Sequence, residues 1–173
     1  MILENSERCT ELAEKVQERF IQRSMSLGTA ESCTGGLLAA ILTHIPGSSS
    51  YFIGGINAYS NSVKLGSLAV KKITLEQHGA VSQETAIEMA KGALVQLECD
   101  YSIAITGIAG PGGGTETKPV GTIYLALAGG KEVLCKKFKL GSDRLENRST
   151  ICHLALTELI TYTEVQETNG DKN

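Results

Sequence analysis

The chain has no run of lysine or arginine longer than two, no apolar stretch long enough to cross a bilayer, no C-x-x-C spacing and no internal repeat. Each absence removes a class of function. A formal net charge of −3 provides no overall positive field for a phosphate backbone, so no nucleic-acid partner is expected. The longest apolar segments, such as Leu37 to Leu42, fall far short of the ~20 residues of a membrane-spanning helix. Met1 to Phe20 is acidic and amphipathic, not a basic start followed by an apolar run, so no membrane association is expected and the cytoplasm is the expected location. Cys9, Cys33, Cys99, Cys135 and Cys152 are odd in number and scattered, which reads as reduced thiols. His44, His78 and His153 are equally dispersed, whereas zinc sites pair their ligands at short spacing, so no metal is expected.

What is present suits one folded domain. The 173 residues are 42% hydrophobic and 20% charged, enough to build a continuous core without disulfides. Leu12, Val16 and Phe20 recur at i+4 spacing and predict an amphipathic helix from about Asn5 to Arg23. Met25 to Ala30 reads as a buried strand, followed by a turn at Glu31 to Gly36 and a helix over Leu37 to His44. Phe52 to Tyr59 reads as a second strand, and Asn61 can cap a short helix carrying Lys64. Ser82 caps a helix with Ala86, Ile87, Ala90, Ala93, Leu94 and Leu97 on one face. Tyr101 to Thr106 reads as a strand buried on both faces, and Val120 to Ala128 and Glu132 to Leu140 as a hairpin joined by Gly129-Gly130. Ser142 or Asp143 caps a last helix with Ile151, Ala155, Leu159 and Tyr162 facing inward. The expected fold is a three-layer α/β/α sandwich on a mixed, mainly parallel sheet, one domain over residues 1–165 with a polar, disordered tail at 166–173.

Three polar segments follow three predicted strands directly: Ser32 to Gly36, Tyr59 to Lys64, and Gly107 to Thr115. Ligands of open α/β sheets bind beyond the carboxyl ends of the strands, so these segments can line one site. Ser32 stands where the unpaired N–H groups of Cys33, Thr34, Gly35 and Gly36 can stabilise an anion; alternatively Ser32 or Thr34 only caps the following helix. Cys33 competes as a nucleophile against the commoner role of a buried structural thiol. No histidine lies in these segments, so the base for a serine nucleophile has to be another group. Lys64 can serve if burial lowers its pKa, with Tyr59 relaying or orienting the proton; alternatively it is a solvated surface charge. The glycine-dense loop ends in no Gly-Lys-Ser/Thr and does not satisfy G-x-G-x-x-G, so it is neither a P-loop nor a dinucleotide fingerprint. It can still present backbone amides to a phosphate, or be a mobile linker. Arg144 and Arg148, one helical turn apart, can add paired charge to that phosphate or form a solvated face.

Read together, Thr29-Ala30-Glu31-Ser32-Cys33-Thr34-Gly35-Gly36, Tyr59-Ser60-Asn61 with Lys64, and Thr106 to Thr115 with Lys118-Pro119-Val120-Gly121-Thr122 resemble the family of the carboxy-terminal domain of the competence/damage-inducible protein CinA. Stand-alone members of that family include nicotinamide mononucleotide deamidases of the PncC type. The resemblance covers about Cys9 to Leu159. It implies an amidohydrolase that converts nicotinamide mononucleotide to nicotinate mononucleotide and ammonia, in pyridine nucleotide salvage, with no cofactor. It implies Ser32 as nucleophile, Lys64 and Tyr59 as its activating pair, and Arg144 as a site arginine. The oxyanion and substrate contacts then fall to Cys33, Thr34, Gly35, Gly36, Thr106, Gly107, Gly110, Gly112, Gly113 and Arg144. A homo-oligomer, at its simplest a dimer, is the expected assembly, and the nucleotide-processing domain often fused ahead of this one is expected to be absent. Two details depart from the family pattern: Ser62 and Val63 stand where an acidic residue and alanine are usual, and Ser142 lengthens the Gly-Asp-Arg segment. The competing reading is a non-catalytic pyridine-nucleotide binder, or an interaction module in competence or DNA damage.

Overall fold

Alternation along the two central strands decides how the layers stack. In β3 (Tyr101–Gly107), Ile103 and Ile105 enter one core while Ala104 enters the other. In β4 (Thr122–Gly129), Ile123, Leu125 and Leu127 enter the first core, and Ala126 and Ala128 the second. One face of the sheet therefore carries large branched side chains and the other carries alanines. The large face packs against α1 (Ile2–Gln22), α2 (Leu37–Thr43) and α6 (Arg144–Gly170), through Val16, Phe20, Leu38, Leu42, Ile151 and Leu159. Each such side chain contributes about 1.5–3 kcal/mol of burial. The alanine face lets α5 (Gln83–Leu97) lie close, with its own Ala86, Ala90 and Ala93 against the sheet. Helix α3 (Asn61–Leu68) then packs on α5 at Gly92, where any β-carbon would collide with the backbone of Leu68.

The computed structural model of the protein describes residues 2–130 and 132–170, with side chains over 8–130 and 132–166. With β1 (Leu27–Glu31), β2 (Phe52–Asn57) and β5 (Glu132–Lys139), the strands form one sheet in the order β2-β1-β3-β4-β5. The layers are the expected α/β/α sandwich and the sheet is mixed, but it is not mainly parallel as expected. Its parallel ladders are β1 with β2 and β1 with β3; those of β3 with β4 and β4 with β5 are antiparallel, so parallel pairing is confined to the half that carries the motifs. Gly129 pairs with Glu132, closing the hairpin where the glycine pair predicts it.

Local details differ from the sequence expectations for identifiable reasons. Ser60, not Asn61, caps α3, its hydroxyl accepting from the Val63 N–H. Of the two expected caps of α6, it is Asp143 that accepts from the Glu146 N–H. Helix α4 (Lys72–His78) has no counterpart among the expected elements; Thr74 is its buried position, too little periodicity to register in sequence. Helix α6 continues through Gly170, past the point at which a disordered tail is expected; residues 171–173 of that tail lie outside the described residues. No described helix is long and apolar enough to cross a membrane.

Candidate active site

Strands β2, β1 and β3 are parallel neighbours, so the segments that follow them emerge at one edge of the sheet. The chain leaves β1 toward β2 by way of α2, then returns by way of α3, α4 and α5 to β3 on the other side of β1. This reversal of strand order is where open α/β sheets have their ligand crevice. Ser32 is the first residue past β1, anchored by its N–H to the Ile105 carbonyl at 2.9 Å. Gly35 and Gly36, at φ +61° and +91°, take the turn into α2 through conformations that side chains rarely adopt.

Lys64 is the central finding. It shares the inner stripe of α3 with Leu68, is only 1% exposed, and places Nζ 2.9 Å from Ser32 Oγ and 2.6 Å from the Ala58 carbonyl oxygen. Burial holds its pKa below the ordinary 10.5, because desolvation penalises the ammonium. A neutral amine can donate to Ala58 and use its lone pair for the Ser32 proton. The sequence alternative of a solvated lysine is excluded by its burial. Cys33, in contrast, is buried with its thiol pushed up to about 12, chiefly by desolvation, which disfavours the thiolate a cysteine nucleophile needs.

Neither Ser32 nor Thr34 caps α2. The cap position is Gly36, without a side-chain bond, and the amides of Gly36, Leu38 and Ala39 donate instead to the Glu31 carboxylate. The Gly35 amide donates to the Ser32 carbonyl. Gly35 and Gly36 are thus corrected: their N–H groups are spent inside the protein. The amides of Cys33 and Thr34 have no oxygen acceptor among the described residues. Thr34 is fully buried, and its hydroxyl also lacks a described partner.

Tyr59 stands apart from the pair it was expected to join. It is 63% exposed, its hydroxyl accepts from Arg144 at 3.2 Å, and no hydrogen bond among the described residues links it to Ser32 or Lys64. Arg144 also donates to the Gly110 carbonyl at 3.0 Å, so it ties the Tyr59 segment to the glycine loop. Arg148 is half-buried and does not form a solvated face: its Nε and Nη2 both donate to the Thr34 carbonyl, at 3.1 and 2.6 Å. The sequence reading missed Asn147, which is buried and donates to the carbonyls of Ala109 and Gly141. Its only sequence signal is a polar residue one turn into the predicted last helix.

The glycine loop is therefore no mobile linker; carbonyl contacts to Asn147 and Arg144 and the Thr115–Lys118 turn fix it. Its Gly112, Gly113 and Gly114 amides have no acceptor among the described residues. Thr106 is buried, its hydroxyl donating to the Ala80 carbonyl, and a β-carbon at Gly107 would strike Ile123, so both shape the loop from inside. A groove of about 500 Å³ lies elsewhere, along α5 between Leu68, Ile87 and Val95. Ser32 itself is only 8% exposed.

A family model described as the CinA C-terminal domain matches residues 9–163. A CinA-like protein of Leptospira borgpetersenii is 56% identical over 117 residues, covering 68% of this chain and 28% of its own. A CinA-like protein of Chlorobium limicola is 45% identical over 166 residues, covering 93% and 38%. The chain thus spans about a third of the length of the curated relatives it matches. Among solved structures, the competence/damage inducible protein CihA from Agrobacterium tumefaciens superposes with a TM-score of 0.87 at 42% identity, over 89% of this chain and 94% of that one. A CinA superfamily protein from Escherichia coli gives 0.85 at 32% identity, over 88% of each chain.

Proposed function

The chain belongs to the CinA C-terminal domain family, and from that premise we propose that it is a cytoplasmic amidohydrolase that converts nicotinamide mononucleotide to nicotinate mononucleotide and ammonia through a serine acyl-enzyme. The observation that carries this reading is a buried lysine nitrogen 2.9 Å from the hydroxyl of Ser32. In the first step Ser32 Oγ attacks the carboxamide carbon as its proton passes to the neutral Lys64 amine. The oxygen of the tetrahedral intermediate takes the free amides of Cys33 and Thr34. Collapse breaks the carbon–nitrogen bond, Lys64 returns the proton to the departing nitrogen, and ammonia leaves. Water then adds to the ester, giving its proton to Lys64, and the second collapse releases the carboxylate and restores the Ser32 hydroxyl.

The exposed half of the site serves binding. The glycine-loop amides and Arg144 suit the ribose phosphate, and Tyr59, held by Arg144, borders the same opening. Binding energy from that remote group orients the amide over Ser32. The test is ammonia release from nicotinamide mononucleotide by the purified protein, with Ser32→Ala as the control. The expected result is turnover in the wild type and its loss in the variant, with nucleotide affinity retained. A wild type that binds the nucleotide and releases no ammonia would instead support the non-catalytic binder.

A further inference from the structure

Among the motif residues that this mechanism does not use, Glu31 is buried and charged. It is the last residue of β1, carries a carboxylate only 2% exposed, and precedes the nucleophile. Its Oε2 accepts the Gly36 and Leu38 amides at 3.0 and 3.1 Å, and its Oε1 accepts the Ala39 amide at 2.8 Å. The carboxylate thus reaches across the turn and fastens the end of the strand to the first turn of α2. The other polar groups of the turn are fastened too: the Ser32 amide to Ile105, the Gly35 amide to Ser32, and the Thr34 carbonyl to Arg148. What this leaves is the Ser32 hydroxyl, facing Lys64, the buried Thr34 hydroxyl, and the amides of Cys33 and Thr34.

We propose that Glu31 is a positioning residue for the acyl-transfer step: by occupying the amides at the start of α2 it confines the oxyanion to those of Cys33 and Thr34 and fixes them relative to Ser32 Oγ. This rests on the reading of Ser32 as nucleophile. A negative oxygen placed in the turn otherwise has two sets of donors to choose from, and only one is adjacent to the attacking atom. With the helix amides already bonded to Glu31, a single geometry remains. Glutamine cannot replace the carboxylate: it offers one acceptor oxygen to three N–H groups and turns its own NH2 toward at least one of them.

The experiment measures the rate at which a fluorophosphonate labels Ser32, detected by intact mass, in wild type, Glu31→Gln and Glu31→Asp. Phosphonylation needs the nucleophile, its base and the oxyanion donors but no nucleotide. Its pH dependence reports Lys64. Glu31→Gln is expected to label about a hundredfold more slowly, the cost of a lost or misplaced oxyanion donor. Nucleotide affinity should stay within about threefold, and the acidic limb of the labelling rate should not move, because Lys64 is untouched. Glu31→Asp, which keeps two acceptor oxygens on a shorter stem, is expected to recover part of the rate, and it decides the matter if Glu31→Gln does not fold. Labelling of a folded Glu31→Gln at the wild-type rate overturns the proposal and leaves the serine mechanism standing. So does a loss that only tracks the unfolded fraction, or a displaced acidic limb. A wild type that is not labelled at Ser32 overturns the serine reading itself.

Discussion

The two halves of the candidate site are built to opposite specifications. Around Ser32 and Lys64 the protein is dry: both side chains are buried, and their polar neighbours are engaged by Ala58, Ile105, Glu31 and Arg148. Around Tyr59, Arg144 and the glycine loop it is open: Tyr59 and residues 111–117 are exposed, and contacts are made largely by backbone carbonyls. The difference is what the proposed mechanism asks of each half. A lysine works as a base only where its ammonium is disfavoured, which requires removal from water. A phosphate is captured with its solvent partly in place, so its donors can stay at the surface.

The largest effect should come from disturbing the dry half. Lys64→Met keeps the apolar stem and removes the base, and deamidation should fall by about 10²–10⁴-fold while the fold is retained, as circular dichroism checks. Lys64→Arg should fail nearly as badly, since a guanidinium stays protonated and accepts nothing from Ser32; substantial turnover in that variant means that the site needs a charge and not a base. In the wet half, Arg144→Ala should cost about tenfold to a hundredfold in kcat/KM, mostly in KM, the range of a lost charged hydrogen bond. Its preference for the nucleotide over the nucleoside should narrow, and an unchanged ratio removes Arg144 from phosphate recognition. The smallest effect on turnover belongs to Cys33→Ser, whose thiol near pKa 12 takes no part. It should cost about 1–3 kcal/mol of stability through a buried hydroxyl, with kcat close to wild type. Inactivation of the wild type by thiol alkylation contradicts that separation.

The same division marks how far the sequence could be read. The order of helices and strands was legible because apolar periodicity records burial, and Ser82, Gly129-Gly130 and the run at Tyr101 say locally what they do. Ser32, Lys64 and the glycine loop were legible as candidates because each belongs to a polar segment that follows a strand. Their partners were not. Arg148 reaches Thr34 across 114 positions and Arg144 reaches Tyr59 across 85, distances at which spacing carries no information. Lys64 looked ambiguous because a lysine on a short helix is compatible with either face until its contacts with Ser32 and Ala58 are known. Glu31 was hidden differently: a capping carboxylate is expected at the cap position or in the first turn of a helix, and this one acts from the preceding strand, leaving the cap to Gly36.

The central claim is that Lys64 acts as a neutral base toward Ser32, and the pH dependence of kcat/KM for ammonia release tests it most directly. Because the protonated amine cannot accept the Ser32 proton, activity should rise with pH along an acidic limb whose midpoint is the pKa of Lys64 in the free enzyme. That midpoint should lie below the ordinary lysine value of 10.5, in line with the burial of the side chain. A rate that falls as pH rises through the same window, or one that is flat across it, would contradict the account.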